Sequence, residues 1–302
     1  LALLPPSLAY DVQTTSYILV GIVGMFTWDL LTNLGGDYRL LTKFKVGLPT
    51  LTYFLSRLFT LGYQLSQALL GSKSTVNCHT TTEFVKAFFF AGIGTTTLLF
   101  YLRVRAIYND NKVVRLLFLF LWLANLCIHS LDFLFVNGVH LGPTDMCIFT
   151  DLKRVYAIVT ATSIVIYDTM VFLAISYRLW RNSVLNMEEG VQSERGLAFD
   201  RTRTTSFFSG RGLPAFSKTL LQEGQVYYLI SFFAALLVVV MLVLPGISDY
   251  YHVIMISPHI ALVNSMACRV FRNVKLGRIR EEELSLLFLS PNVSFRMPSR
   301  SR

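Results

Sequence analysis

Long runs of apolar residues recur along the chain and are separated by shorter polar segments. Seven of these runs reach about twenty residues, which is enough for a helix to cross a hydrocarbon core of roughly 30 Å. They lie near residues 14–33, 47–70, 83–106, 113–136, 154–178, 224–245 and 249–270. Most are apolar on every face, which favours lipid over a soluble helical core as their surroundings. The pattern predicts an all-α protein, a polytopic bundle of seven transmembrane helices.

The composition agrees with this prediction. Of the 302 residues, 53% are apolar and 15% are charged, whereas soluble domains carry about a quarter charged residues. The third run contains Gly92, Gly94 and the threonines 95–97, small residues that let neighbouring helix backbones approach closely.

The basic residues predict an orientation. Of the 27 lysines and arginines, 22 fall in alternate connecting segments and therefore on one side. Because basic loops stay in the cytoplasm, the N-terminus is expected outside and the C-terminus inside. Residues 1–13 are then an exoplasmic segment, 14–270 the seven-helix domain and 271–302 a cytoplasmic tail. The net charge of +9 reflects this topology and the anionic lipid bilayer, with no nucleic acid as partner. We expect a multi-pass protein of the plasma membrane rather than of an endomembrane.

Two cysteines fall on the predicted outer side. Cys78 precedes the third run and Cys147 lies between the fourth and fifth, while Cys127 and Cys268 fall within apolar runs. In an oxidising compartment the outer two form a natural disulfide pair, which would stabilise the fold by roughly 2–4 kcal/mol. The alternative is two free thiols that both face outward.

This arrangement of helices and outer cysteines resembles G-protein-coupled receptors. The basic segment "LRVRAIY" is similar to the cytoplasmic end of their third helix, which implies a coupling role for Arg103 and Arg105. Two departures are clear: Leu102 stands where the receptors have an acid, and the last run has Pro258 and Asn264 without their usual Asn-Pro pair.

A second resemblance covers nearly the whole chain. The segments "TWDLLTNLGGDYRLL", "LPTLTYFLSRL", "LLFYLRVRAIYNDN", "YDTMVFLAISYRLW", "GLPAFSKTLLQEGQVYYL" and "MACRVFRNVKLG" are similar to a large family of seven-helix membrane proteins from mushroom-forming fungi. That family is known mainly as a domain of unknown function. The resemblance implies a fold and a fungal source, but no activity.

Four polar side chains fall inside the apolar runs: Asp29, Arg57, Asp168 and Asn264. Ionisable groups at such depth are costly and usually have a partner. All four are expected in the cytoplasmic half, roughly 6–15 Å deep, where Arg57 can reach either acid. Three interpretations stay open: a clasp that fixes helix packing, a switch that opens when the inner helix ends move, and a proton or ion path.

On the outer side, His129 and Asp132 are three residues apart near the end of the fourth run. Either they line a ligand pocket together with tyrosines 17, 156, 250 and 251, or these residues anchor the helices at the level of the lipid headgroups.

Enzyme signatures are missing from the sequence. The five histidines are scattered and do not form the cluster that a zinc hydrolase needs. The last run has no lysine for a retinal Schiff base, and no phosphate loop or nucleophile elbow is present. We expect no catalytic activity, no metal and no cofactor.

Residues of about 181–222 are polar, charged and rich in glycine, which predicts a mobile third cytoplasmic loop. In it, Thr204, Thr205 and Ser206 follow two arginines, a pattern that basophilic kinases accept; phosphorylation there would invert the local charge. The alternative is an unmodified basic loop. In the tail, "VKLGRIREEELSLLFL" is expected to form a short helix along the inner membrane surface.

The sequence therefore favours an orphan receptor-like protein that binds an unknown small ligand outside and a cytoplasmic signalling protein inside. The alternatives are a small-solute transporter and a non-signalling membrane scaffold. A cavity on the outer side above a tightly packed inner bundle would favour a receptor, and a polar path that reaches both faces would favour a carrier.

Overall fold

The computed structural model describes residues 6–43, 46–72, 77–140, 147–150, 154–193, 215–244 and 255–289. Nearly all of these residues are helical. The helices are α1 (Pro6–Thr32), α2 (Leu34–Lys43), α3 (Leu48–Ser72), α4 (Cys78–Ile107), α5 (Lys112–Ser130), α6 (Asp132–Phe135), α7 (Arg154–Ser193), α8 (Ala215–Val243) and α9 (Ile256–Leu289). Strands β1 (Asn137–His140) and β2 (Cys147–Thr150) pair as an antiparallel hairpin.

The helical class that the sequence predicts is present. Among the described residues, four segments are long and apolar enough to cross a membrane, and they belong to α1, α4, α5 with α6, and α7: Ala9–Thr32, Cys78–Ile107, Lys112–Leu134 and Val155–Arg178. The apolar stretch Leu229–Val243 of α8 is shorter. By their length and composition, these helices suggest a membrane protein.

The surface of the bundle carries large apolar side chains. Trp28, Leu116 and Phe120 are each between 66% and 70% exposed, and many others face outward on α1, α5 and α7. In water such a continuous apolar surface would promote association. In lipid it is the expected exterior of a helix bundle.

Three helices extend beyond the runs that the sequence predicts. Residues 181–193 and 215–222, which the sequence assigned to a loop, are helical and extend α7 and α8. The tail segment up to Leu289 continues α9 without a break instead of forming a separate helix. The physical reason is composition: these extensions contain good helix formers and no proline between residues 181 and 193 or between 271 and 289.

The centre of the bundle is built on α3 and α4. The helix α3 packs against α1, α4 and α9, while α4 also contacts α5 and α7. A Cβ atom at Gly92 would lie 3.5 Å from the backbone nitrogen of Thr60, so the small residue lets α3 and α4 approach closely. On the other side of α4, the Trp122 indole donates a hydrogen bond to the Gly94 carbonyl (3.2 Å).

The two ends of the bundle differ, and we call them the α2 end and the hairpin end. At the hairpin end, the predicted disulfide is present: it joins Cys78, at the start of α4, to Cys147 of β2. Gly138 of β1 packs so closely on α4 that a Cβ atom there would collide with the Thr82 side chain. This hairpin was not predicted from the sequence.

A buried lysine also holds the hairpin end together. Lys86 of α4 is 4% exposed, and its Nζ donates to the backbone carbonyls of Phe133 (3.3 Å) and Val136 (3.0 Å). Its charge is paired with Glu83, one turn earlier, at 2.5 Å. The contact fixes the segment between α6 and β1 on α4.

Candidate functional site

A cluster of paired charges lies at the α2 end. Arg57 of α3 is only 4% exposed, and its acidic partners come from other helices. Its Nη1 donates to the Asp37 carboxylate of α2 and to the Tyr53 hydroxyl (2.6 Å). Its Nη2 lies 3.5 Å from the Asp29 carboxylate of α1. One guanidinium group therefore connects three helices.

Tyr53 is the centre of this cluster. Its hydroxyl donates to the Asp37 carboxylate (2.5 Å) and accepts from Arg57 and from Arg272 of α9 (2.9 Å). Its ring, which is fully buried, stacks on Phe271 with 5.1 Å between the centroids. Two arginines and two aspartates thus balance in charge, and the cluster joins α1, α2, α3 and α9. We call these five polar residues the inner cluster: Asp29, Asp37, Tyr53, Arg57 and Arg272.

The structure brings only part of the predicted polar network together. Asp29 lies beside Arg57, but Asp168 does not, because α4 stands between α3 and α7. Both oxygens of the buried Asp168 carboxylate lack a hydrogen-bond partner among the described side chains. Asn264 donates to Thr96 of α4 (2.9 Å), next to the inner cluster rather than in it.

Asp37, Tyr53 and Arg272 were not singled out from the sequence. Asp37 falls between two apolar runs, in a segment interpreted as a loop, although helical spacing does link it to Leu40, which is fully buried. An acid in the first turn and Lys43 in the last are typical helix-end signals. These features could have indicated α2, and with it a partner for Arg57.

The predicted coupling residues lie at the α2 end. Arg103 is partly buried and Arg105 is exposed, both near the end of α4. Beside them the Tyr108 hydroxyl donates to the Ala174 carbonyl of α7 (2.8 Å). Burial raises the pKa of Tyr108, although the nearby Arg178 guanidinium acts in the opposite direction.

A small cavity lies in the half of the bundle next to the hairpin end. Its volume is about 20 Å³, enough for about one water molecule or one hydroxyl group. Five helices contribute to its lining, which consists of Phe89, His129, Thr160, Ala161, Ile164, Ala235, Val238, Ile256 and His259. Apolar side chains dominate, and no charged residue is part of this lining.

Two buried histidines face this cavity. His129 has no exposed surface and packs edge-on against Phe89 with 5.8 Å between the ring centroids. Neither of its ring nitrogens has a hydrogen-bond partner among the described groups, and the same holds for Nε2 of His259. The nearest acid is Asp132, 3.7 Å from Nδ1 of His129. Tyr17, which the sequence suggested as a companion, is exposed on α1.

Below the cavity, the bundle is closed by a tightly packed layer. Large side chains of α4, α5 and α7 meet α9 there, among them Phe100, Phe118, Tyr167 and Val171, together with Val263. The Tyr167 hydroxyl donates to the Thr97 carbonyl (3.0 Å), which ties α7 to α4. This layer separates the cavity from the α2 end.

Among the described residues, one group of potential metal ligands lies close together: Cys78, His140 and Cys147. The two sulfur atoms are joined in the disulfide, so they are not thiolate ligands here. The predicted phosphorylation sites Thr204, Thr205 and Ser206 lie outside the described residues, as do tyrosines 250 and 251.

Comparison with known proteins adds no assignment. The sequence matches no protein-family model, and no curated protein is significantly similar to it.

Proposed function

We propose that this protein is a receptor-like integral membrane protein with seven transmembrane helices. The seven are α1, α3, α4, α5 (with α6), α7, α8 and α9. The hairpin end faces outside and the α2 end faces the cytoplasm, and the plasma membrane is the proposed location. The observation that carries the receptor assignment is the cavity near the hairpin end, closed below by the packed layer.

The distribution of side chains supports the membrane environment. Exposed positions on α1 and α5 carry residues such as Trp28 and Phe120, while polar groups such as Gln64 and Asn264 are buried. Gln64 exchanges two hydrogen bonds with Ser257 of α9, at 2.9 and 2.5 Å. Polar side chains paired between helices, beneath an apolar exterior, are what lipid favours.

Charge and redox chemistry support the orientation. The α2 end carries exposed basic residues such as Arg39, Lys43 and Arg105, which favour the cytoplasmic side. The disulfide lies at the opposite end, which favours an oxidising compartment. Two independent properties of the chain thus point the same way.

The packing of side chains inside the bundle fits a receptor better than a carrier. A carrier needs a polar route that can open to either side, but the layer with Phe100 and Tyr167 fills the space below the cavity with large interlocking side chains. A ligand in the cavity contacts five helices at once and can shift their relative positions. A shift reaches the inner cluster through α9, which lines the cavity with His259 near its start and carries Arg272 near its middle.

In this proposal the inner cluster holds the resting arrangement. Its ion pairs connect α1, α2, α3 and α9, so a change in their relative positions weakens contacts to Arg57. Opening would expose the α2 end, including Arg103 and Arg105, to a cytoplasmic signalling protein with an acidic surface. The alternative role, a permanent clasp, predicts that the cluster never opens.

Cysteine accessibility tests the proposal. In a Cys127→Ala background, Ala235→Cys probes the cavity and Val171→Cys the packed layer, and a small membrane-impermeant thiol reagent is applied from either side. Because the resting cavity holds no more than a hydroxyl group, the reagent enters only when the helices around it open. A receptor then predicts slow reaction of Ala235→Cys from the hairpin side only, and no reaction of Val171→Cys from either side. Reaction of Ala235→Cys from both sides would favour a carrier and reject the receptor.

A second measurement separates the receptor from a scaffold. Spin labels at Tyr38 of α2, which is 69% exposed, and at Arg105 report the distance between α2 and the end of α4. A receptor has two distance populations, and the minor one grows when Asp29→Ala weakens the inner cluster. A scaffold gives one distance in both proteins. The resemblance to the seven-helix proteins of mushroom-forming fungi agrees with the proposed fold and assigns no activity.

A further inference from the structure

We infer that the cavity binds a neutral, largely apolar molecule through a hydroxyl group held between His129 and His259. This ligand class rests on the proposed function for the role of the cavity. The binding itself is argued from the side chains that line it.

Two buried histidines have unmet hydrogen-bonding capacity. His129 is fully buried and His259 is 7% exposed, yet Nε2 of each ring makes no hydrogen bond to the described groups; Nδ1 of His129 makes none either, but lies 3.7 Å from the Asp132 carboxylate. Buried polar groups in proteins are almost always paired, so such atoms call for a water molecule or a ligand. Their position on the wall of one cavity directs both rings at the same occupant.

The two imidazoles select a hydroxyl as the ligand group between them. A neutral imidazole offers one hydrogen-bond donor and one acceptor, so two imidazoles suit a ligand group that both donates and accepts. A hydroxyl does both, while a carbonyl oxygen only accepts. The hydroxyl of Thr160 already donates within its own helix, to the Tyr156 carbonyl at 3.0 Å, so toward a ligand it can only accept, and the histidines are the wall groups left to offer both a donor and an acceptor.

The apolar walls disfavour a charged ligand, and an anion most of all. The other wall side chains include Phe89, Ile164 and Ile256, and no charged side chain lines the cavity. Burying an unpaired carboxylate against such walls is strongly unfavourable. The nearest charge is the Asp132 carboxylate beside His129, which repels an anion further.

The cavity is smaller than the ligand class proposed for it. A volume of about 20 Å³ accommodates the hydroxyl group alone, so binding of the attached alkyl chain requires α8 to move outward from α7. The contact between these helices places the small residues Ala157 and Ala161 of α7 against Val238 and Leu242 of α8, so the alkyl chain has to separate these side chains. Entry of the chain thus couples binding to a helix displacement.

Nitrogen NMR of the full chain in lipid nanodiscs tests the inference. The protein has five histidines, so ¹⁵N-histidine labelling gives few signals, and the variants His129→Leu and His259→Leu assign the two that matter. The probes are 1-hexanol, hexane and hexanoate. We expect 1-hexanol to shift both cavity signals saturably, and hexane and hexanoate to leave them unchanged. The signal of His79, which is 80% exposed, is expected to stay constant.

Each leucine variant should bind 1-hexanol about tenfold more weakly, read at the remaining histidine, because one hydrogen bond to the hydroxyl is lost. Since three of the replaced nitrogens make no hydrogen bond to the described groups and Asp132, the nearest acid to His129, is 3.7 Å away, both variants should fold, which their melting temperatures check. The control His79→Leu should keep the parent affinity. Equal responses to hexane and 1-hexanol, a response to hexanoate, or no saturable shift would each overturn the inference.

Failure of this inference can be distinguished from failure of the receptor proposal. Saturable binding of 1-hexanol combined with a carrier-like cysteine pattern would keep the hydroxyl site and reject the receptor. Receptor-like accessibility without a histidine shift would reject only this ligand class.

Discussion

Removal of Arg57 is expected to destabilise the protein more than removal of Asp29, the more exposed of its two acidic partners. In Arg57→Ala the Asp37 carboxylate, whose side chain is 12% exposed, keeps the Tyr53 hydroxyl but loses its direct cationic partner. Breaking a buried ion pair from one side costs about 3–5 kcal/mol. Asp29 is 30% exposed and 3.5 Å from Arg57, so Asp29→Ala should cost about 1 kcal/mol or less.

A double variant separates charge pairing from packing. Arg57→Leu combined with Asp37→Leu removes both charges. The charges that remain in the inner cluster, on Arg272 and Asp29, still sum to zero. Replacing a buried pair by apolar groups is often close to neutral, so the double variant should regain at least about 2 kcal/mol of what Arg57→Leu loses, within the coupling range of contacting residues. The control Arg105→Ala, an exposed arginine, should stay within about 0.5 kcal/mol of the parent.

The buried thiol of Cys268 provides the assay. It is fully buried beside Ser56, with 3.7 Å between the sulfur and the hydroxyl oxygen, and the only other free thiol among the described residues is Cys127. In a Cys127→Ala background, reaction of Cys268 with a thiol-specific fluorophore during an SDS titration reports unfolding next to the inner cluster. The reasoning is refuted if Arg57→Ala unfolds together with Arg105→Ala, or if the double variant is no more stable than Arg57→Leu.

Three further changes have expected outcomes. Cys147→Ser should lower stability by roughly 2–4 kcal/mol, and a reducing agent should lower the melting temperature of the parent but not of this variant, because the bond to Cys78 is already lost. Gly138→Ala should reduce the yield of monodisperse protein in gel filtration, since the new methyl group meets the Thr82 side chain; an unchanged yield would mean that the hairpin does not pack on α4. Gln64→Leu should cost about 0.6–1.7 kcal/mol in an SDS titration, the range for hydrogen bonds between helices in lipid, because its pair on α9 is broken.

The sequence predicted those features that depend on local composition. Apolar runs of helical length indicated the helices, and the positions of Cys78 and Cys147 indicated their disulfide. The small residues around Gly92 indicated close helix contact. Each of these signals lies within one short segment, which is why it can be read without knowing which helices are neighbours.

The features that depend on helix order were not predictable. Asp168 and Asp29 were equivalent candidates for pairing with Arg57, because nothing in the sequence states that α4 separates α3 from α7. The roles of Asp37 and Arg272 depend on α2 and α9 reaching Tyr53, which is a property of the packed bundle. The cavity between His129 and His259 likewise combines residues 130 positions apart in the chain.

The most direct test of the membrane topology compares the two ends of the crossing formed by α5 and α6. Asn109, before α5, and Asn137 of β1, after α6, are both exposed, and each can be replaced by cysteine in a Cys127→Ala background. With a membrane-impermeant thiol reagent on intact cells, Asn137→Cys should be labelled at once, and Asn109→Cys only after the membrane is permeabilised. Labelling of both residues in intact cells, or of Asn109→Cys alone, would contradict the proposed crossing and orientation.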